Sequence, residues 1–457
     1  MTTAQSVELS NGKKAHITLA AVIGTLLDFT DNGLATGPIA VFVWAQIFFP
    51  KSNPVVAVAL SIAAVASTWL VRPIGAFIFG SMADRRGRKY SLLWTLVLVA
   101  IGTIGIAFVP TYSQIGFLAP LLVILARVIF GFGLGGEFGG ATSWIAEITA
   151  RTKWRVFATS WVQTMVSLGG SIASYSVAFT RTSMTAAAFS AYGWRILFVI
   201  MGIAAVVGLV LRYRSMESPL FRAVIAKQQA SRKVSGLEVF KKRKAIMALL
   251  IIGAFPLLQV VAITLGGFLS AWLKAEHLTI VQVALIIGNA SLIATAVGIV
   301  GALVAAYVDR KKILIVIADG AVIASALLYL YLVGSGNYFL ISMGVIIMYG
   351  VPRFAATLWP GVMAENFTTS ERAAGVGLSY QFTVFFGAGV WTAFITPFLL
   401  VSFNGAKGAA PYQIGAYIAI TVISLIITAM FLRDRKNLPA DEGMPTESEI
   451  GSAEMVD

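Results

Sequence analysis

The sequence predicts an all-α membrane protein whose twelve transmembrane helices form two pseudosymmetric six-helix halves. Three observations predict it. Hydrophobic residues make up 58% of the 457 positions and charged residues only 12%, against about 25% charged in soluble domains. Twelve apolar stretches approach or exceed the ~20 residues that a spanning helix requires. Charged landmarks also recur at a nearly constant offset, which marks a duplication. Helices follow because only helices and closed barrels satisfy their backbone hydrogen bonds in lipid, and the alternation of barrel strands is absent.

The chain opens on a polar tail, 1–16, with Lys13 and Lys14. The stretch that follows, 17–46, is too long for a signal peptide and lacks a small-residue cleavage site, so it reads as the first span. Stretches at 55–82, 90–109, 117–147, 156–180 and 193–213 complete a first bundle over 17–213. The cationic interruption 214–244 reads as a cytoplasmic linker, helical in part, that binds anionic headgroups. Stretches at 245–273, 280–307, 313–333, 338–364, 373–400 and 411–432 form the second bundle, 245–432. The tail 433–457 is acidic beyond Pro439 and rich in small residues; it builds no core and is expected to be disordered.

A net charge of +14 raises the possibility of nucleic acid, but its placement points to a bilayer. Most of the 34 Lys and Arg residues lie at one set of helix ends and in the tails and linker, whereas Lys51, Arg181, Arg195, Lys274 and Lys407 lie at the opposite ends. The positive-inside rule then puts both termini in the cytoplasm. There is no cysteine, and His16 and His277 are the only imidazoles, so neither a metal site nor a cofactor is expected. No nucleophile–base–orienter set is present. The Gly-rich run 131–140 lacks the strand–turn–helix setting of a dinucleotide site, and no enzyme is expected.

After the second span comes "GSMADRRGRK", with Asp84, Arg85 and Arg88, and after the eighth comes "AAYVDRKK", with Asp309 and Arg310, at an offset of 225. Arg127 in the fourth span has Arg353 of the tenth as its counterpart at an offset of 226. Glu147 precedes Arg155 by eight residues and Glu365 precedes Arg372 by seven. Six spans return the chain to its starting side, so the halves are related by an axis along the membrane normal.

"GSMADRRGRK" resembles the loop signature of the major facilitator superfamily. "RPIGAFIFGSMADRRGRK", "LARVIFGFGLGGEFGGATSWIAE", "MESPLF" and "MAENFTTSERAAGVGLSY" are similar to its metabolite:proton symporter branch, which is related to the sugar porters. The resemblance covers residues 24 to 432. It implies the major facilitator fold and proton-coupled symport of a small organic acid, with a sugar or polyol or a zwitterionic osmolyte as alternatives. It also implies a multi-pass protein of the plasma (inner) membrane, working as a monomer on a small-molecule substrate and a proton. In such folds substrate binds near the midplane, between the halves.

Asp28 and Asp31 are three residues apart and share a helix face, ~17–21 Å from the start of the span at ~1.5 Å per residue. An acid at that depth costs about 2.5–3.5 kcal/mol, and two close carboxylates do not both ionise, which makes a reversible proton site. By resemblance Asp31 matches the proton-binding aspartate of sugar porters, and Arg127 the arginine that faces it. Glu137 lies ~15 Å beyond Arg127 and on another face of the helix, so the two need different partners; Glu137 is a further candidate for the proton path. Arg127 and Arg353 are expected to face the cavity and hold a carboxylate in bidentate fashion, with a structural pair between Arg353 and Asp319 as the competing account. Arg72 reads as a snorkelling or gating residue. Gln163, Gln259, Trp359, Tyr380 and Gln381 stand at mid-span depth as candidate lining. Asp84, Arg85, Arg88, Asp309 and Arg310 in the loops, with Glu147, Arg155, Glu217, Glu365 and Arg372, are the candidate gate. Gly80 is expected to permit close helix approach.

Overall fold

The computed structural model describes residues 11–49, 53–86, 88–149, 154–215, 236–260, 266–308 and 311–433. Glu217, Asp309, Arg310, most of the linker and the tail beyond 433 lie outside the described residues, as do the side chains of Asp84, Arg85, Arg88 and Glu147.

The first half runs through α1 (Asn11–Thr36), α2 (Pro54–Leu70 and Arg72–Arg86), α3 (Arg88–Ala107), α4 (Leu118–Leu134 and Phe138–Ile148), α5 (Arg155–Thr182) and α6 (Trp194–Ser215). The second half runs through α7 (Lys244–Val260 and Gly267–Ala275), α8 (Ile280–Val308), α9 (Lys311–Val333) and α10 (Tyr338–Ala356 and Trp359–Glu365). It ends with α11 (Thr369–Val384, then a π-helical Phe385–Ile395 and Thr396–Ser402) and α12 (Ala406–Phe431). Among the described residues eight helices are long and apolar enough to cross a membrane by themselves. α5 is not among them, because Thr159, Gln163, Ser167 and Ser171 recur at every fourth position and are buried. That spacing makes one polar stripe turned into the protein. Outside, Phe108, Phe117, Phe179, Tyr331, Phe339 and Phe398 are exposed, as side chains facing lipid are.

Several spans are broken where the sequence predicts one rod, and the breaks follow from residue chemistry. Pro73 carries no N–H, so it cannot close the helical bond back to Trp69, and α2 steps at Val71. Pro360 does the same at the break of α10. α4 loosens into a turn at Gly135–Gly136–Glu137, where two glycines carry the lowest helix propensity of any residue but proline.

Glycines set the spacing of α2 and α4. A Cβ at Gly131 would collide with Thr68 O, one at Gly135 with Arg72 O, and one at Gly75 with Phe132 O. The second half repeats the contact between α8 and α10, where a Cβ at Gly301 would collide with Phe354 O and one at Gly298 would sit 2.8 Å from Thr357 Cγ2. Matching Gly75 with Gly301 and Phe132 with Phe354 gives an offset of 226 for α2 and α8 but 222 for α4 and α10. By that contact position 127 pairs with 349 and 353 with 131, so the offset from helix contact differs by one helical turn from the offset between the arginines. Gly80 differs from expectation too, since a Cβ there would meet nothing within 4 Å among the described residues.

The halves touch at two levels. Toward the face that carries the chain termini, Gln381 Nε2 of α11 donates to Gly135 O at 3.1 Å and the rings of Phe138 and Tyr380 stack with centroids 3.4 Å apart. Toward the far face, Ser171 Oγ of α5 donates to Gly288 O at 3.1 Å and the Tyr175 hydroxyl to Asn289 Oδ1 at 2.7 Å.

Candidate transport site

A cavity of about 100 Å³ lies between the two contact levels, with residues of both halves in its walls. Among the described residues Arg72 is its only arginine or lysine. The guanidinium is 1% exposed, its Nε and Nη2 have no hydrogen-bond partner among the described residues, and it lies 5.8 Å from the Phe29 ring. The sequence reading gives Arg72 as a snorkelling or gating residue. α2 instead continues to Arg86, fourteen residues further, which puts Arg72 ~21 Å from that end and beyond snorkelling reach. Its distance from the loop signature was the signal that would have found it.

Of the side chains expected to line a cavity, Gln163, Gln259 and Tyr380 do so. Arg127, Arg353, Trp359 and Gln381 do not. Trp359 is fully buried in the second half and packs on Gly253, and Gln381 is engaged with Gly135. Arg353 reaches the cavity at second hand: its Nη2 donates to the Tyr349 hydroxyl at 3.5 Å, and Tyr349 lines the wall. Asn32, Trp69 and Tyr349 are lining residues that sequence reasoning missed, since nothing in helical spacing separates a cavity-facing aromatic from a packed one.

Beside the cavity, Arg127 Nη1 donates to Asp31 Oδ1 at 2.7 Å and Nη2 to Gly102 O at 3.2 Å. Arg127 is 0% and Asp31 2% exposed, and the rings of Phe130 and Phe198 flank the guanidinium at 4.9 and 5.6 Å. Asp28 is buried on the same helix, one turn before Asp31. Glu137 is buried in the glycine turn of α4.

At the terminus-bearing face, Glu365 at the end of α10 joins both halves. Arg155 Nη2 of α5 meets Glu365 Oε1 at 2.6 Å and Lys311 Nζ of α9 meets Oε2 at 2.8 Å, all three groups being buried. Arg372 Nε donates to Ala364 O at 3.2 Å beside them, and Arg243 pairs with Glu371 at 3.1 Å. Lys311 was missed in sequence, where it reads as one more loop cation after Arg310. No group of three or more His, Cys, Asp or Glu residues able to hold a metal ion occurs among the described residues.

Comparison with known proteins agrees with this architecture. Residues 17–248 match the family model described as "Sugar (and other) transporter". The chain is 30% identical over 424 residues to the inner membrane metabolite transport protein YhjE of Escherichia coli (strain K12), covering 90% of this chain and 93% of that one. It is 28% identical over 434 residues to a putative proline/betaine transporter of Staphylococcus aureus (strain COL), with 94% and 91% covered. The glycine betaine/proline/ectoine/pipecolic acid transporter OusA of Dickeya dadantii is 25% identical over 468 residues, with 98% and 89% covered. Among solved structures, the xylose transporter XylE from E. coli in a partially occluded inward open conformation superposes with a TM-score of 0.70 at 19% identity. It covers 94% of this chain and 100% of that one, a likeness of fold.

Proposed function

This chain belongs to the sugar (and other) transporter family of the major facilitator superfamily, and on that premise we propose that it is a proton-coupled symporter of a small organic acid, working by alternating access. The observation that carries the reading is Arg72, a buried guanidinium with two nitrogens unpartnered among the described residues, in the wall of a cavity between the halves. Such a group binds a carboxylate in bidentate fashion and disfavours a neutral solute, whose entry would leave the charge without a counter-ion. Gln163 and Gln259, one from each half, supply polar contacts that both halves must hold at once.

Asp31 is the proton carrier in this reading. Charged, it holds Arg127; protonated, it releases the arginine and loosens α1 from α4, so the two states favour different arrangements of the halves. The halves are 17–213 and 245–432, joined by 214–244. The Glu365 pairs with Arg155 and Lys311 act as the latch on the terminus-bearing side, and the positive-inside rule makes that side cytoplasmic. The monomer is the working unit, in the plasma membrane.

A second reading, a zwitterionic osmolyte, is favoured by the aromatic wall. Phe29, Trp69, Tyr349 and Tyr380 line the cavity with Arg72, and aromatic faces attract a quaternary ammonium. Uptake into proteoliposomes under an inward pH gradient, with labelled organic acids, glycine betaine, proline and sugars, tests both. Accumulation of an acid that Arg72→Gln abolishes supports the first reading. Accumulation of betaine or proline alone moves the assignment to the second. Sugar uptake indifferent to Arg72→Gln refutes both.

A further inference from the structure

The second half holds a carboxylate that the transport reading leaves unused. Asp319 lies on α9, eight residues past Lys311 and 0% exposed, so it sits ~12 Å into the helix. Neither of its oxygens has a hydrogen-bond partner among the described residues. Arg353 of α10 is also 0% exposed, and its Nε and Nη1 likewise lack partners. Its guanidinium lies over the Tyr349 ring, 4.9 Å from the centroid. α9 packs against both α10 and α12, and Tyr417 of α12 donates its hydroxyl to Pro256 O at 2.8 Å. α8, which also packs here, carries no acidic or basic side chain.

An acid and a base are therefore buried in one compartment of the half, each with open bonding capacity, yet they form no ion pair in this arrangement. The contrast is with Asp31 and Arg127, which close to 2.7 Å in the other half. A bare carboxylate without donors is among the costliest groups to bury. A proton removes that charge and needs no donor from the protein.

We propose that Asp319 is a second proton-binding residue, in the second half, with Arg353 as the cation that receives its carboxylate when the proton leaves. In this arrangement Asp319 is the neutral acid. A small shift of α9 along α10 then closes the Asp319–Arg353 pair and expels the proton, so that the two halves hold protonatable aspartates in opposite phases of pairing. The part this plays in transport rests on the proton-coupled reading above.

Infrared difference spectroscopy of the full chain in phosphatidylglycerol-containing liposomes, with no solute added, tests the site. The expected result is a protonated-carboxyl C=O band at neutral pH that moves on hydrogen–deuterium exchange, is lost in Asp319→Asn and is retained in Asp31→Asn. In Arg353→Gln the band should persist as pH is raised through the range in which the unsubstituted chain loses it. Asp319→Glu, which keeps an acid in place, should keep the band and serves if the asparagine variant does not fold. A band untouched by Asp319→Asn, or no such band at all, overturns the proposal. Because no solute takes part, the result is separate from the uptake assay: absent pH-driven accumulation with this band intact counts against proton coupling and leaves the site standing.

Discussion

Arg127 and Asp31 meet at 2.7 Å across 96 positions of sequence, in a site where neither side chain is more than 2% exposed. An ion pair so buried is held by mutual need, since either member alone is an uncompensated charge, at a cost of about 3–5 kcal/mol. Asp31→Asn should abolish accumulation driven by a pH gradient while solute exchange at equal pH persists, a separation readable in the same proteoliposomes. Undiminished accumulation in Asp31→Asn would remove Asp31 from the proton path.

Arg127→Gln alone should lower thermal stability in detergent, because it strands the Asp31 carboxylate. The double variant Asp31→Asn/Arg127→Gln should recover much of the loss, since it removes both charges together. Additive losses in the double variant would show that the two do not depend on each other.

Glu365 neutralises both Arg155 of the first half and Lys311 of the second. Glu365→Gln removes the carboxylate that these two buried cations share and should open the terminus-bearing side. The natural chain has no cysteine, so a single cysteine at Thr142, fully buried in α4, reports the opening by its rate of maleimide labelling. We expect faster labelling in Glu365→Gln; an unchanged rate would mean that the ring stack of Phe138 and Tyr380 holds this side closed by itself.

Arg72→Lys should weaken solute uptake by roughly tenfold or more although the charge is kept, because an ammonium cannot offer the planar two-point contact of a guanidinium. Binding measured by scintillation proximity with the solute identified by uptake reads the loss directly. Full retention would take Arg72 out of the binding site.

Gly131→Ala should destabilise the first half, by about 1–3 kcal/mol as overpacking does, because the new methyl meets the Thr68 carbonyl. Gly140→Ala is its control, being a glycine of the same stretch whose Cβ would meet nothing within 4 Å. Equal melting temperatures for the two variants would refute the close-packing account of the α2–α4 contact.

The membrane class, the helical fold and the duplication were legible because lipid imposes them on composition. Each span must be apolar over a fixed length, and each break in that rule is conspicuous, which is how Asp31, Arg127 and Arg353 stood out. Arg127 was found together with its partner through the resemblance to sugar porters, in which an arginine faces the first-span aspartate. Arg72 was read as a snorkelling or gating residue because the span was drawn to end at 82, whereas α2 continues to Arg86. The offset of 226 between Arg127 and Arg353 counts residues, whereas the matched glycine contacts give 222 for α4 and α10, because contacts follow where helices touch.

By itself, then, the sequence determined which residues are buried in the bilayer and that two similar halves must pack around a midplane, because hydrophobic length and charge placement are properties of each segment alone. The tertiary structure decided which charges meet. Rotation about each helix axis is fixed by small contacts between neighbours, such as Gly131 on Thr68 and Gly301 on Phe354. Those contacts turned Arg72 toward the cavity, Arg127 onto Asp31, and left Asp319 and Arg353 on packed helices and unjoined.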